Sequence, residues 1–575
     1  MSANTHSNFE HTQEKIIPKE EITYFGVTDF RGQEEKFGIK PEDRMRHMYV
    51  IGKTGMGKST LLENMAIQDI QNGNGLCFVD PHGTTAEKLL KYIPENRMQD
   101  VIYFAPFDTK YPISLNILEY VEADKRHLVS SGLMDTFKKV FGEDVFSGRM
   151  VYLLNNAFLS LLENEGESLL GINRIFSDKE YRKKIISNVK DPALLSFWND
   201  EYAKYDDKYV KEATAAIQNK IGQFIMIPMI RNIVGQIKSS FDMREIMDTK
   251  KILICNFSIG QTGSENVNLI GSLLITKIYL AAMSRANLSY EELKKAPPFF
   301  FYVDEFQNFV NDSFAQILSQ ARKYNLGLII ANQYVEEQLT DKVRAAIFGN
   351  VGTLVSFRIG AADAEEIEKE FAPNFTADDL VNLGLRQIYL RLSIDGVGSK
   401  PFSARTMTPI LDENIDYVPA IMAMSRVTFA KEKEKVEEEI ATWYKRIVTE
   451  SATTKVTNVA ERLSSRNVRE NNFSNSSRDY DTKKEMPYKK PSPIIDRSTK
   501  SYTREAVQDT PKKEQEEKKK EIEKLVDKNE NTKPKQNTSL RNALSSAMSI
   551  NLKEEKGNIK KVNKEDLQKI LDEDN

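Results

Sequence analysis

Eight residues near the N-terminus, Gly52-Lys53-Thr54-Gly55-Met56-Gly57-Lys58-Ser59, constrain this chain more than any other stretch. They satisfy the pattern G-x-x-x-x-G-K-[ST] of a phosphate-binding loop, and they follow the apolar strand candidate His47-Met48-Tyr49-Val50-Ile51 and precede the helical stretch Thr60 to Ile67. Glycines let consecutive backbone N–H groups turn inward around an anion, and a helix starting near Lys58 adds the positive end of its dipole. The expected guest is a nucleoside triphosphate with magnesium. Gly52, Lys53, Thr54, Gly55, Met56, Gly57, Lys58, Ser59 and Thr60 would surround the phosphates, Lys58 would reach the β- and γ-phosphates, and the Ser59 hydroxyl would ligate Mg2+. No Asn-Lys-x-Asp segment that would read guanine is present, so ATP is the expected nucleotide.

A strand, loop and helix in that order need a sheet to belong to. Short apolar runs recur at 48–51, 75–80, 101–105, 251–257, 299–304, 326–331 and 351–357, most of them separated by helical patterns, and a last one ends at Gln387 to Leu392. That alternation predicts an α/β fold with a doubly wound, mostly parallel sheet and ligands at the carboxyl ends of its strands. The nucleotide-binding part is expected over 22–118 and 245–425, with an all-α insert over 119–244 where comparable strand runs are missing. Residues 1–21 read as a flexible start and 426–449 as an amphipathic helix with the stripe Val436, Ile440, Trp443, Ile447. From 450 to 575 the chain is rich in Ser, Asn, Lys and Glu, which predicts a largely disordered charged tail with short helical segments, one carrying Leu540, Ala543, Leu544, Ala547 and Met548. Either stripe could dock on a partner.

At 575 residues and 40% apolar, the chain has material for two or three domains with real cores. Its 81 Lys and Arg against 84 Asp and Glu leave a net charge of −3, so any contact with nucleic acid must come from a local basic surface. Cys77 and Cys255 both fall within apolar strand runs without metal-ligand spacing, which predicts buried free thiols. No run of about 18 uninterrupted apolar residues is evident, so direct membrane insertion is not expected and a cytoplasmic location is.

Hydrolysis needs more than a cradle. The apolar run Phe299 to Val303 ends in Asp304-Glu305, adjacent acids that strand alternation would point to opposite sides. Asp304 would hold the magnesium shell and Glu305 would polarise the attacking water. A further run, Leu326 to Ala331, ends in Asn332-Gln333, whose amides could sense the γ-phosphate or simply close a turn. Transition-state charge also calls for an arginine, commonly from a neighbouring subunit, and Arg322, Arg344 and Arg358 are the candidates. Asp80-Pro81-His82-Gly83 would place Asp80 or His82 at a nucleotide or subunit contact, or form a plain Pro-Gly turn. Lys53 lies where some dimeric switch ATPases carry an early loop lysine, but those need glycine where Thr54 stands.

Taken together, the phosphate loop, the Asp304-Glu305 strand and the segment Arg322-Lys323-Tyr324-Asn325-Leu326 through Gln333 resemble the TraG/TraD-type conjugative coupling proteins of the HerA–FtsK group. The resemblance spans roughly residues 22 to 410 and implies a RecA-like sheet with an all-α domain hung on it. In that family an arginine in a G/A-R-K segment acts on the neighbouring subunit's nucleotide and a glutamine eleven residues later senses it. Arg322 and Gln333 match both. The resemblance further implies a homohexamer that hydrolyses ATP at subunit interfaces and moves DNA, in the single-stranded form, from a relaxase to a type IV secretion channel. Such proteins usually begin with transmembrane helices. Their absence from this sequence implies either work in the cytosol or recruitment to the inner face of the membrane by a separate partner. The alternatives are a cytosolic HerA-like double-stranded DNA translocase, a protein-secretion ATPase, and a nucleotide-switched assembly module that translocates nothing.

Overall fold

The computed structural model describes residues 22–445 apart from 30, 31, 33, 120, 311–313, 336–338 and 412–415. The expected flexible start, the charged tail, the stripe at 540–548 and Ile447 lie outside the described residues.

Thirteen strands occur among the described residues: β1 (Thr23–Thr28), β2 (Lys36–Ile39), β3 (Met48–Ile51), β4 (Gly75–Asp80), β5 (Val101–Phe104), β6 (Ile252–Asn256), β7 (Phe299–Val303), β8 (Leu326–Asn332), β9 (Thr353–Ser356), β10 (Gln387–Arg391), β11 (Ser393–Ile394), β12 (Val397–Gly398) and β13 (Phe402–Thr406). Eleven form one sheet in the order β2-β1-β13-β10-β9-β3-β8-β7-β4-β6-β5, while β11 and β12 make a separate hairpin. From β9 to β5 all neighbours run parallel. These are the strands buried on both faces, which is why they read as continuous apolar runs. The remaining four extend the sheet antiparallel through β10 on β9.

Alternate residues of each parallel strand feed two cores. Met48, Val50, Leu76, Phe78, Phe300 and Tyr302 face the helices Lys58–Gln71, Thr84–Lys91 and Val418–Phe429. Tyr49, Ile51, Cys77, Val79, Phe299 and Phe301 face the opposite layer, which includes the apolar helix Ser264–Ser284 and a succession of helices that leaves after β5 and returns before β6. The stretch Ser264–Asn287 is long and apolar enough to cross a membrane by length and composition, and 72% of its apolar window is buried inside the fold. Cys77 and Cys255 are free and fully buried.

The stripe at Val436, Ile440 and Trp443 differs from its reading as a free docking surface. A helix over 433–445 buries all three in the chain's own core, with the Trp443 ring 6.0 Å from Tyr181 and beneath the Arg174 guanidinium. Asp80 also resolves towards its simpler reading. Its carboxylate accepts the backbone N–H groups of His82, Thr85 and Ala86 at 2.8, 2.8 and 3.0 Å, so it ties the turn to the start of the helix Thr84–Lys91. The His82 side chain is exposed.

Candidate nucleotide site

Parallel register brings the chemistry to one edge. Ile51 pairs with Asn332 and Val303 with Ile330, so β8 lies between the strand that enters the phosphate loop and the strand that ends in the acids. Gln333, the first residue beyond β8, therefore emerges between Lys53-Thr54 and Asp304-Glu305. Thr54 Oγ1 donates to Gln333 Oε1 at 2.9 Å, and Gln333 Nε2 donates to Glu305 Oε1 at 2.6 Å.

The loop itself is built by backbone that only glycine adopts without strain. Gly55 and Gly57 have φ of +78° and +118°, and a Cβ on Gly52 would lie 2.5 Å from Phe357. Lys58 opens the helix Lys58–Gln71 and is buried, its ammonium donating to the Gly52 carbonyl at 2.6 Å and the Lys53 carbonyl at 3.4 Å. Burial lowers its pKa, opposed by the charges of Glu305 and Asp304. No carboxylate among the described residues lies within ion-pair distance of it. A buried cation at the mouth of an exposed glycine turn, with Lys53, Thr54 and Gly55 open to solvent, fits a polyphosphate. Met56 and Thr60 are half-buried at either side of Lys58.

Ser59 Oγ donates to Asp304 Oδ2 at 2.6 Å, which joins the two expected magnesium ligands. Burial raises the Asp304 pKa, with Glu305 and Asp80 adding to it and the Ser59 hydrogen bond and Lys58 opposing. A carboxylate so placed gains from a divalent cation that would offset its desolvation. Oxygen donors and the room left by an exposed Ser59 suit Mg2+.

Glu305 corrects the expectation of strand alternation. The strand ends at Val303, and Glu305 is left-handed with φ 46° and ψ 49°. That kink turns its carboxylate towards Gln333 on one side and Gln307 on the other, each donating a side-chain amide to one carboxylate oxygen. Left-handed backbone at a non-glycine residue costs about 1–3 kcal/mol and persists where surroundings hold it. Gln307 was not singled out by the sequence; its position two residues after Glu305 was the available signal.

The arginines separate. Arg322 is on the short 3-10 turn Ala321–Tyr324, before β8 and so at the opposite edge of the sheet, about 20 Å from the phosphate loop at strand rise. Its side chain is exposed and forms no ion pair among the described residues. It cannot serve the loop of its own chain. Arg344 pairs with Asp341 one helical turn away. Arg358 abuts the loop through its backbone, its carbonyl accepting the Lys53 N–H at 2.8 Å. Arg386, which sequence reasoning passed over, is left-handed at φ 63° and donates its N–H to the Met56 carbonyl at 3.3 Å.

Comparison with known proteins agrees with this architecture. The type 4 coupling protein DotL of Legionella pneumophila (strain Philadelphia 1) is 21% identical over 388 residues, covering 57% of this chain and 48% of that protein. The chain thus spans about half the length of this relative. Among solved structures, the conjugative coupling protein TrwBdeltaN70 in complex with sulphate superposes with a TM-score of 0.50 at 14% identity, over 66% of this chain and 89% of that one. The plasmid coupling protein TrwB in complex with ADP and Mg2+ superposes with a TM-score of 0.49 at 15% identity, over 66% and 89%. Residues 36–376, more than half of the chain, match the type IV secretion-system coupling protein DNA-binding domain, and the chain belongs to that family.

Proposed function

We propose that the chain is an ATP-hydrolysing motor that assembles head to tail into a ring and moves DNA in conjugation or type IV secretion. The observation that carries this reading is Gln333, hydrogen-bonded at once to the phosphate loop through Thr54 and to Glu305. A loop that only bound nucleotide would not need a glutamine linking it to a carboxylate.

Lys58 and the loop N–H groups would hold the phosphates and Glu305 would take a proton from the attacking water. Ser59 and Asp304 would hold magnesium, which when bound neutralises charge on the phosphate oxygens. Gln333 would report the state of the loop to Glu305. Arg322 would complete the site of the next copy, since about 20 Å of sheet separates it from its own, and a heterologous contact that repeats this relation gives a ring when its rotation closes. The homohexamer, the single-stranded DNA substrate and a relaxase or channel partner are part of the same proposal, as are the cytoplasmic location and membrane recruitment by another protein.

The test is steady-state ATPase activity against protein concentration, with and without single- and double-stranded DNA, alongside the mass of the assembly. Activity that rises with assembly and is stimulated by DNA supports the motor. Slow turnover indifferent to concentration and DNA refutes it in favour of a nucleotide-switched assembly module or a protein-secretion ATPase.

A further inference from the structure

His47 is the residue immediately before β3, so it stands at the foot of the strand that leads into Gly52. It is buried and left-handed, with φ 64°. Its ring touches two points far away in sequence. The Leu328 backbone N–H donates to Nδ1 at 3.1 Å, which fixes the tautomer, and Nε2–H then donates to the Leu318 carbonyl at 3.1 Å. Leu318 and Leu328 bracket the turn Ala321–Tyr324 that carries Arg322. From the other side the Arg285 guanidinium, paired with Asp248, donates to the Tyr324 carbonyl at 2.8 Å, and Asn325 is held through its own amide on the Leu293 and Ala296 carbonyls.

We infer that His47 is a positioning residue for the arginine offered to the neighbouring copy, pinning the Arg322 turn to the strand that leads into the phosphate loop. The inference rests on the shared-site reading above. A left-handed residue with both ring nitrogens engaged fixes the height and direction of the turn relative to β3, and a displacement near 1 Å at a transition-state contact costs on the order of 10²-fold in rate. His47 itself touches no nucleotide.

Mixed assemblies test it by direction. Lys58→Ala subunits have a dead site and a sound arginine, whereas Arg322→Ala subunits have a sound site and no arginine, so mixing them should restore ATPase activity. His47→Asn is the chosen change because asparagine tolerates left-handed backbone yet is too short to reach the Leu318 carbonyl. Lys58→Ala/His47→Asn donors mixed with Arg322→Ala acceptors should recover about 10²-fold less activity than Lys58→Ala donors do. Arg322→Ala/His47→Asn acceptors mixed with Lys58→Ala donors should recover fully. Donors that work undiminished, acceptors damaged as much as donors, or His47→Asn protein that no longer binds ATP in a titration would each overturn the inference. No recovery from the parent pair would remove the shared site itself.

Discussion

Replacing Asp69 by leucine would strand a cation inside the protein. Arg44 and Asp69 face each other with side-chain exposures of 2% and 0%, joined by two parallel bonds of 2.7 Å. Arg44 also donates to Thr23 Oγ1 at 2.9 Å and to the Tyr302 hydroxyl at 2.6 Å, and lies 3.4 Å above the Phe300 ring. Tyr302 and Asn74 donate to the Asp69 oxygens in turn. The network thus joins β1, β7, the approach to β3 and the helix that starts at the phosphate loop. Burial alone would pull Arg44 downward, and Asp69 and Tyr302 more than offset it, so the guanidinium stays charged. Without the carboxylate, that charge keeps only two hydroxyls and the face of the Phe300 ring, and Asp69→Leu should cost about 3–5 kcal/mol. Urea unfolding followed by circular dichroism reads this as a lower midpoint of the main transition. Arg44→Met/Asp69→Leu removes both charges and should recover at least about 2 kcal/mol relative to the sum of the single changes. A single variant within about 1 kcal/mol of the parent, or strict additivity, would refute the argument.

Three further outcomes are expected. Burial lowers the His47 pKa to about 4 from 6.5, with Arg322 nearby adding to it, so the folded state holds the ring neutral while the unfolded chain takes a proton. Stability from this group is complete above about pH 6.5 and falls between there and pH 4 by roughly 3 kcal/mol; a melting temperature equally pH-dependent in His47→Asn would count against it. Glu305→Gln should leave ATP binding intact and lower turnover by about 10²–10⁴-fold, whereas unchanged turnover in a single-cycle assay would remove Glu305 from the chemistry. Asp80→Ala loses the acceptor of three backbone N–H groups and should destabilise by about 1 kcal/mol, read from the same urea curves.

How far the sequence could be read follows from where each strand finds its partners. The parallel strands announce themselves because both faces are buried, as in Phe299 to Val303, where all five side chains are inaccessible and the Tyr302 hydroxyl is the one polar group among them. β1 and β13 stayed hidden. Thr23–Thr28 carries a glycine and polar residues, and of its two ladder partners Lys36–Ile39 is only four residues long while Phe402–Thr406 is remote in sequence, so no apolar run marks it. The phosphate loop and acid pair were legible as spacing, and Gln333 as a strand-end amide, but their meeting depends on β8 inserting between β3 and β7, a non-local fact. The left-handed turn at Glu305 could not be read at all. A glutamate carries no backbone signal for it, and it is held by contacts seen in the fold, with Gln307 and Gln333 on its carboxylate, Asp304 on its N–H and Asn308 on its carbonyl.

The helix over 433–445 has a mechanical consequence. The helices between β5 and β6 are joined to the sheet by two covalent crossings, an arrangement that on its own would act as a hinge with both pivots side by side. The later helix buckles across them as a strap, tethered to the β5 side by the Ile113–Ala430 bridge and by the bond from Lys433 N–H to the Lys110 carbonyl. Swinging open would mean peeling Val436, Ile440 and Trp443 out of the core, at about 1.5–3 kcal/mol each. That is on the order of 5–9 kcal/mol in total, so the strap holds these helices against the sheet.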